Sequence, residues 1–215
     1  KAGLQRWVAG IDINSLYPSV IRAMNMSPET IAGQLRPDFT DALIGGRIKE
    51  GRKTGAKTYG ASQAWDETFS SEEFRLMNER DKASVLTLVL EDNPFEELKT
   101  TQELTGAEAY DLIFNSDLNW TITANGTIFN QDVQGIIPSL LERWYAERQV
   151  MQQKKKEAIK DGDAVAIAHW DKRQLVKKIN LNSLYGALLN QGCRFYDKRI
   201  GQSTTLTGRC ITRHM

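Results

Sequence analysis

Apolar and polar positions along the chain fall into a few kinds of stretch, each predicting a different element. Trp7-Val8-Ala9-Gly10-Ile11-Asp12-Ile13 is short and largely apolar, the pattern of a strand buried in a sheet and covered by helices. Asn14 or Ser15 can cap a following helix, and Pro18 falls in its first turn, where proline is tolerated, so a helix is predicted to about Asn25. Asp12 then sits at the C-terminal end of the strand, a usual location for active-site residues in sheets with helical crossovers. Gly45, Gly46, Gly51, Gly55 and Gly60 punctuate a basic stretch that predicts loop or hairpin. From Ser70 to about Asp92 the spacing turns helical, with Ser70 or Ser71 and then Glu73 as a capping signal. Phe74, Met77, Val85, Leu88 and Val89 form its predicted buried face. A second short helix is predicted near Thr105 to Phe114.

Ala124-Asn125-Gly126 separates Trp120-Thr121-Ile122-Thr123 from Thr127-Ile128-Phe129, and an Asn-Gly between two β-rich runs predicts a hairpin. After Gly135-Ile136-Ile137-Pro138 a long helix is predicted from Ser139 to about Lys160. Asp161-Gly162-Asp163 breaks it, and a second helix is predicted from about Ala164 to Leu189. The two would form an antiparallel helical hairpin rich in Lys and Arg. The expected fold class is mixed α/β (α+β), with residues 33 to 117 forming a mostly helical lobe inserted between the first helix and the hairpin near Asn125.

The chain of 215 residues, 40% of them hydrophobic, can bury a sizeable core. No run approaches the roughly 18 apolar residues of a membrane helix, and Lys1-Ala2-Gly3-Leu4 opens no hydrophobic signal region. No membrane partner is expected, and a cytoplasmic location is. The chain begins without methionine, so it is expected to be an excerpt or a processed product. Cys193 and Cys210 form neither a disulfide framework nor a zinc signature and are expected as reduced thiols. His169 and His214 lack ligand-like spacing and are expected at the surface.

Charge is divided unevenly along the chain. Residues 66–117 hold fourteen acids against four bases, and residues 139–215 hold fifteen bases against seven acids. A basic C-terminal third suits a polyanion, because neutralising phosphates releases counterions; a solvated helical surface has the same composition. Lys154 to Lys156 read as such a solvated face.

The tetrapeptide Asn-Ser-Leu-Tyr occurs at Asn14 to Tyr17, before Pro18, and again at Asn182 to Tyr185, before Gly186. Lys178, Asn182 and Tyr185 are spaced i, i+4, i+7 and share one narrow face of the predicted helix. A cation, an amide and an aromatic ring on that face can meet one ligand, or the helix can be amphipathic with Lys178 in water. Read alone, Asp12 can equally cap the next helix, and Tyr17 can be a core ring. Longer contexts are more specific. Asp12-Ile13-Asn14-Ser15-Leu16-Tyr17-Pro18-Ser19 resembles motif A of family B DNA polymerases, and Lys178-Ile179-Asn180-Leu181-Asn182-Ser183-Leu184-Tyr185-Gly186 resembles their motif B, in the family's order. Asn25-Met26-Ser27-Pro28-Glu29-Thr30-Ile31, Gly135 to Pro138 and Arg194-Phe195-Tyr196-Asp197 resemble the replicative polymerases of T-even-type tailed phages. The resemblance covers about residues 7 to 35 and 119 to 210; the acidic insertion departs from it, and the helical hairpin looks shorter than in that phage group.

The resemblance implies template-directed DNA synthesis, the transfer of deoxynucleotides to a DNA primer, with primer–template DNA, deoxynucleoside triphosphates and the remaining polymerase domains (rest of palm, thumb, possibly exonuclease) as partners. It implies a partial palm sheet, with residues 1–35 as its first part, an insertion over 36–118, a palm hairpin over 119–138, a fingers hairpin over 139–189 and a return to the palm over 190–215. Two Mg²⁺ ions are implied, held by Asp12 and the carbonyl of Ile13, since hard cations need oxygen ligands. Backbone amides of Ser15, Leu16 and Tyr17 at a helix start would hold phosphate oxygens. Counted without gaps from the Ile-Ile-Pro anchor, Arg148 falls where the family carries its triphosphate-binding arginine. Lys178 matches the motif B lysine that contacts the phosphates and can protonate the leaving pyrophosphate, with Asn182 beside it. Tyr17 resembles the steric gate that leaves no room for a 2′-hydroxyl. Tyr185 and Gly186 would face the nascent base pair.

The family's second metal-binding aspartate belongs to an Asp-Thr-Asp hairpin beyond motif B, and no such sequence occurs in these residues. The chain is therefore expected to carry half of a catalytic site and to be inactive alone. Two competing readings are a protein-primed family B polymerase, which also carries an insertion after motif A, and a non-catalytic nucleic-acid-binding module or split subunit. A phage protein acting in the host cytoplasm is the expected setting.

Overall fold

A computed structural model describes residues 13, 15–35, 46, 49–51, 53, 85–93 and 98–215. The strand expected over 7–13, apart from Ile13, lies outside the described residues, as do Asp12, Asn14 and the first part of the helix expected from Ser70.

Helix α1 (Leu16–Ala23) follows an N-cap at Ser15, and the chain reverses at Asn25, whose φ of 52° is in the left-handed region that asparagine tolerates. A single 3₁₀ turn, Pro28–Thr30, leads into β1 (Ile31–Leu35). Strands β2 (Val85–Asn93) and β3 (Leu98–Thr105) pair antiparallel, and β2 also pairs with β1, as in Gly33 opposite Leu90. The helix predicted to run through to Asp92 is thus overturned over its last third, and so is the separate, mostly helical lobe expected over 33 to 117: its described strands extend the sheet that holds β1. Val85 to Leu90 is apolar apart from Thr87, and Leu86 and Leu88 are buried while Thr87 between them is exposed. That period of two, together with two partner strands, outweighs the helical spacing of Val85, Leu88 and Val89. In the basic stretch read as loop or hairpin, residues 46, 49–51 and 53 are helical.

Helix α2 (Gly106–Tyr110) has a reciprocal cap: the Glu108 amide donates to Thr105 Oγ1 at 3.3 Å, and the Thr105 amide donates to Glu108 Oε2 at 2.7 Å. A π-turn, Asp111–Asn115, continues it. Strands β4 (Trp120–Ile122) and β5 (Thr127–Asn130) form the predicted hairpin. Gly126 turns it with φ 84°, and a Cβ there would stand 2.4 Å from the Leu35 carbonyl oxygen, so the position needs glycine on two counts. Among the described residues the strands form one antiparallel sheet in the order β3-β2-β1-β5-β4.

The two long helices, α3 (Ile136–Asp161) and α4 (Ala164–Leu188), are the predicted hairpin. Helix α3 starts one turn earlier than expected, because Pro138 falls in a first turn that needs no proline N–H. At the tip Gly162 is the left-handed C-cap, φ 71°, and Asp163 accepts from the Ala166 amide at 2.9 Å. Helix α5 (Lys198–His214) closes the described chain.

The sheet carries a core on each face. On one, α1, α3, α4 and α5 converge through Ile21, Leu141, Leu181, Leu188 and Ile200 onto Phe129 of β5. On the other, Ala109 and Ile113 pack with Leu35, Leu86, Leu88 and Ile128. The neighbours Ile128 and Phe129 face opposite sides, as strand geometry dictates. No helix of the described residues is long and apolar enough to cross a membrane.

Candidate active site

The start of α1 is strained. Ser15 has φ 56° and ψ 56°, a left-handed conformation unusual for a residue with a side chain and concentrated at functional positions. The side chain of Ser15 makes no capping bond, although its carbonyl accepts from the Ser19 amide at 2.9 Å. The first-turn amides of Leu16 and Tyr17 have no carbonyl a turn behind them, and Pro18 has no N–H. Two amide donors and the positive end of a helix therefore lie at Leu16 and Tyr17, three and four residues after the half-buried Ile13.

One turn of α1 sends Tyr17 toward α4. Its ring meets that of Tyr185 at 4.7 Å between centroids, tilted by 37°, a geometry favourable for aromatic pairs. The two copies of Asn-Ser-Leu-Tyr thus meet through their tyrosines. Burial pushes the Tyr185 phenol above its ordinary range, opposed by a hydrogen bond with the Thr205 side chain, with neighbouring Tyr17 adding a smaller upward push. Gly208 of α5 lies against Tyr17, where a Cβ would stand 3.3 Å from Tyr17 Cε1. Leu16, Tyr17, Gly208, Arg209 and Thr212 line an open recess of about 260 Å³. Thr205 and Gly208 were not singled out from sequence, because nothing local in α5 signals that it packs on motif A.

On α4, Lys178 and Asn182 are exposed, and Gly186 has no atom within 4 Å of where a Cβ would be. Arg148 is buried between the two long helices, 8% exposed, and its Nε donates to Gln174 Oε1 at 3.4 Å. Gln174 is one turn before Lys178, so Gln174, Lys178, Asn182 and Tyr185 mark one stripe of α4. The stripe links the partner of Arg148 to the partner of Tyr17, and Lys178 and Tyr185 are about 10 Å apart along the axis at 1.5 Å per residue. Gln174 is a further candidate, and its signal was its place one turn before Lys178.

Ion pairs also cross the hairpin. Lys177 Nζ lies 2.5 Å from Glu147 Oε2, and Lys155 Nζ lies 2.6 Å from Asp171 Oδ1. Those lysines hydrogen-bond the Glu147 and Asp171 carboxylates and hold both below their ordinary range. The run Lys154 to Lys156 is therefore not wholly a solvated face: Lys155 is paired, and Lys154 Nζ stands 4.6 Å from the centre of the Trp170 ring.

Asp197 caps α5 by accepting from the Arg199 amide at 2.8 Å and also pairs with the Arg199 side chain. Arg199 bonds Glu91 of β2 as well. Burial disfavours the guanidinium charge, but Asp197 and Glu91 more than offset that and hold it above its ordinary range. The acidic insertion is thereby tied to the helix that supports Tyr17. Among the described residues no group of three or more His, Cys, Asp or Glu side chains is placed to hold a metal, and Asp12 lies outside them.

The description of DNA polymerase family B fits residues 4–215. This chain belongs to DNA polymerase family B. Its relatives include the DNA-directed DNA polymerase of Escherichia phage RB69, 26% identical over 213 residues, and that of Enterobacteria phage T4, 27% identical over 227 residues. Each alignment covers 95% of this chain and 21% of the relative, so the chain spans about a fifth of the length of these curated relatives. The resemblance to polymerases of T-even-type phages is borne out. Within the family B chain, the motif A helix and the motif B helix are the two elements whose tyrosines meet.

Proposed function

We propose that this chain is the nucleotide-binding part of a template-directed DNA polymerase that transfers deoxynucleotides to a DNA primer. The meeting of Tyr17 and Tyr185 at 4.7 Å carries the reading, because it brings the two family motifs into contact beside the start of a helix. In this reading the amides at Ser15, Leu16 and Tyr17 take phosphate oxygens, and Tyr17 packs under the deoxyribose. Lys178 and Arg148 bind the triphosphate, with Lys178 able to hand a proton to the departing pyrophosphate. Asn182 orients the nucleotide, and Tyr185 and Gly186 border the nascent base pair. Asp12 and the Ile13 carbonyl are the oxygen ligands this chain would offer to two Mg²⁺ ions. Bound Mg²⁺ supplies stabilisation of charge on the attacking and leaving oxygens.

Primer–template DNA, deoxynucleoside triphosphates and further polymerase segments are the proposed partners. The test is primer extension by the full-length protein with all four deoxynucleoside triphosphates. Template-directed extension is expected with Mg²⁺ and none after chelation. Failure to extend any primer under either condition, with duplex binding intact, would leave a binding module instead.

Arg148 and Lys178 give a more specific expectation. A hydrogen bond to a charged group contributes about 1.5–3 kcal/mol, or roughly 10- to 150-fold. Arg148→Ala and Lys178→Ala are each expected to lower kcat/KM for nucleotide by that factor while the duplex Kd holds. A weakened duplex Kd with unchanged nucleotide kinetics would assign them to the template instead.

A further inference from the structure

Helix α3 lacks a side chain of its own to cap it, because its N-cap is Gly135. Its first amides are taken instead by the segment that follows α1. The Gly135 amide donates to Asn25 Oδ1 at 2.8 Å, the Ile136 amide to Glu29 Oε1 at 2.6 Å, and the Ile137 amide to Ser27 Oγ at 3.4 Å. Ser27 Oγ donates in turn to the Glu29 carboxylate, 2.8 Å from each oxygen. Asn25 is buried, 4% exposed, and its Nδ2 donates to the carbonyls of Asn130 and Val133 at 2.7 and 2.9 Å, holding the link between β5 and α3. A Cβ at Gly135 would stand 2.6 Å from Ser27 Cβ, so the close seating requires glycine. One turn above this socket Arg22 of α1 reaches Glu142 of α3 at 3.6 Å and lies over the Tyr145 ring.

We infer that Asn25, Ser27 and Glu29 form a socket that sets the angle of the helical hairpin, and that Glu29 is a positioning residue for nucleotide binding. The inference rests on the polymerase reading above. The socket is continuous with α1, which carries Tyr17, and it grips α3, which carries Arg148. Arg148 lies twelve residues beyond Ile136, about 18 Å along the helix at 1.5 Å per residue. A tilt of about 5° at the base moves a group at that distance by roughly 1.5 Å, and a misplacement of about 1 Å can cost on the order of 100-fold in rate. Glu29 suits an adjustable contact. It is only half-buried, and a carboxylate at a helix N-terminus is favoured by the helix dipole.

The test uses the full-length protein with Glu29→Ala and Glu29→Gln, read in two ways. Spin labels on Asp161→Cys, at the hairpin tip, and Glu103→Cys, on the exposed face of β3, with the other cysteines replaced, report the tip-to-sheet distance without any need for catalysis. Glu29→Ala is expected to shift or broaden that distance and to raise the nucleotide KM about tenfold or more, leaving the duplex Kd near the parent value. Glu29→Gln keeps an acceptor for the Ile136 amide and is expected to restore most of both. An unchanged distance in Glu29→Ala overturns the socket, and so does an equal displacement in Glu29→Gln. A shifted distance with an unchanged nucleotide KM removes Glu29 from positioning. A parent protein that extends no primer strikes the polymerase reading instead, while the distance measurement still decides the socket.

Discussion

Replacing Tyr17 by valine in the full-length protein is expected to lower its preference for a deoxynucleotide over the matching ribonucleotide by about 10- to 200-fold, the range that small steric differences in a pocket command. Tyr17 is held from two sides, by the Tyr185 ring at 4.7 Å and by Gly208, where even a Cβ would come within 3.3 Å of the Tyr17 ring. The Tyr185 contact restrains the ring from swinging aside for an added hydroxyl. Valine keeps a branched surface against Gly208 but clears the space of the ring, so ribonucleotide use should rise while deoxynucleotide use falls little. Tyr17→Phe keeps the ring and should keep the ratio. A packing role alone predicts another result: losing an aromatic pair removes about 0.5–1.5 kcal/mol beyond buried area and would depress both sugars alike. The deciding measurement is the ratio of kcat/KM for the two nucleotides at matched folded concentration. An unchanged ratio in Tyr17→Val assigns Tyr17 to packing.

The second large effect concerns Asp12. Asp12→Ala in the full-length protein is expected to reduce the rate of incorporation by about 10³-fold, since metal-assisted charge stabilisation is worth several kcal/mol and each 1.36 kcal/mol is tenfold. Asp12→Asn keeps the size, loses the charge and should lose nearly as much. The rival role, a helix cap, would cost about 0.5–2 kcal/mol of stability and little rate. Ser15 occupies the N-cap of α1, so Asp12 stands three residues before the capping position. Single-turnover incorporation and thermal unfolding of the same variants separate the two. Incorporation within threefold of the parent, combined with a lowered Tm, would make Asp12 structural.

Elements whose signals are local could be read directly from the chain. Asn125-Gly126 signals a tight turn between two β-prone runs, and Asp161-Gly162-Asp163 stops one helix and caps the next, so the β-hairpin and the helical hairpin are legible in neighbouring residues. The i, i+4, i+7 spacing of Lys178, Asn182 and Tyr185 likewise put them on one face of α4 before any packing was known. Other features depended on partners distant in sequence. Val85 to Leu90 carries spacings compatible with helix or strand, and pairing with β1 and β3 made it a strand. Arg148 could be singled out by its spacing from the Ile-Ile-Pro anchor, but its burial against Gln174 depends on the facing helix. Asn25, Ser27 and Glu29 read as part of a family-like segment, and only the approach of Gly135 to Ser27 reveals that they seat a helix more than one hundred positions away. Hydrogen-bond geometry and side-chain burial depend on which surfaces meet, and a linear pattern encodes only the period of each surface.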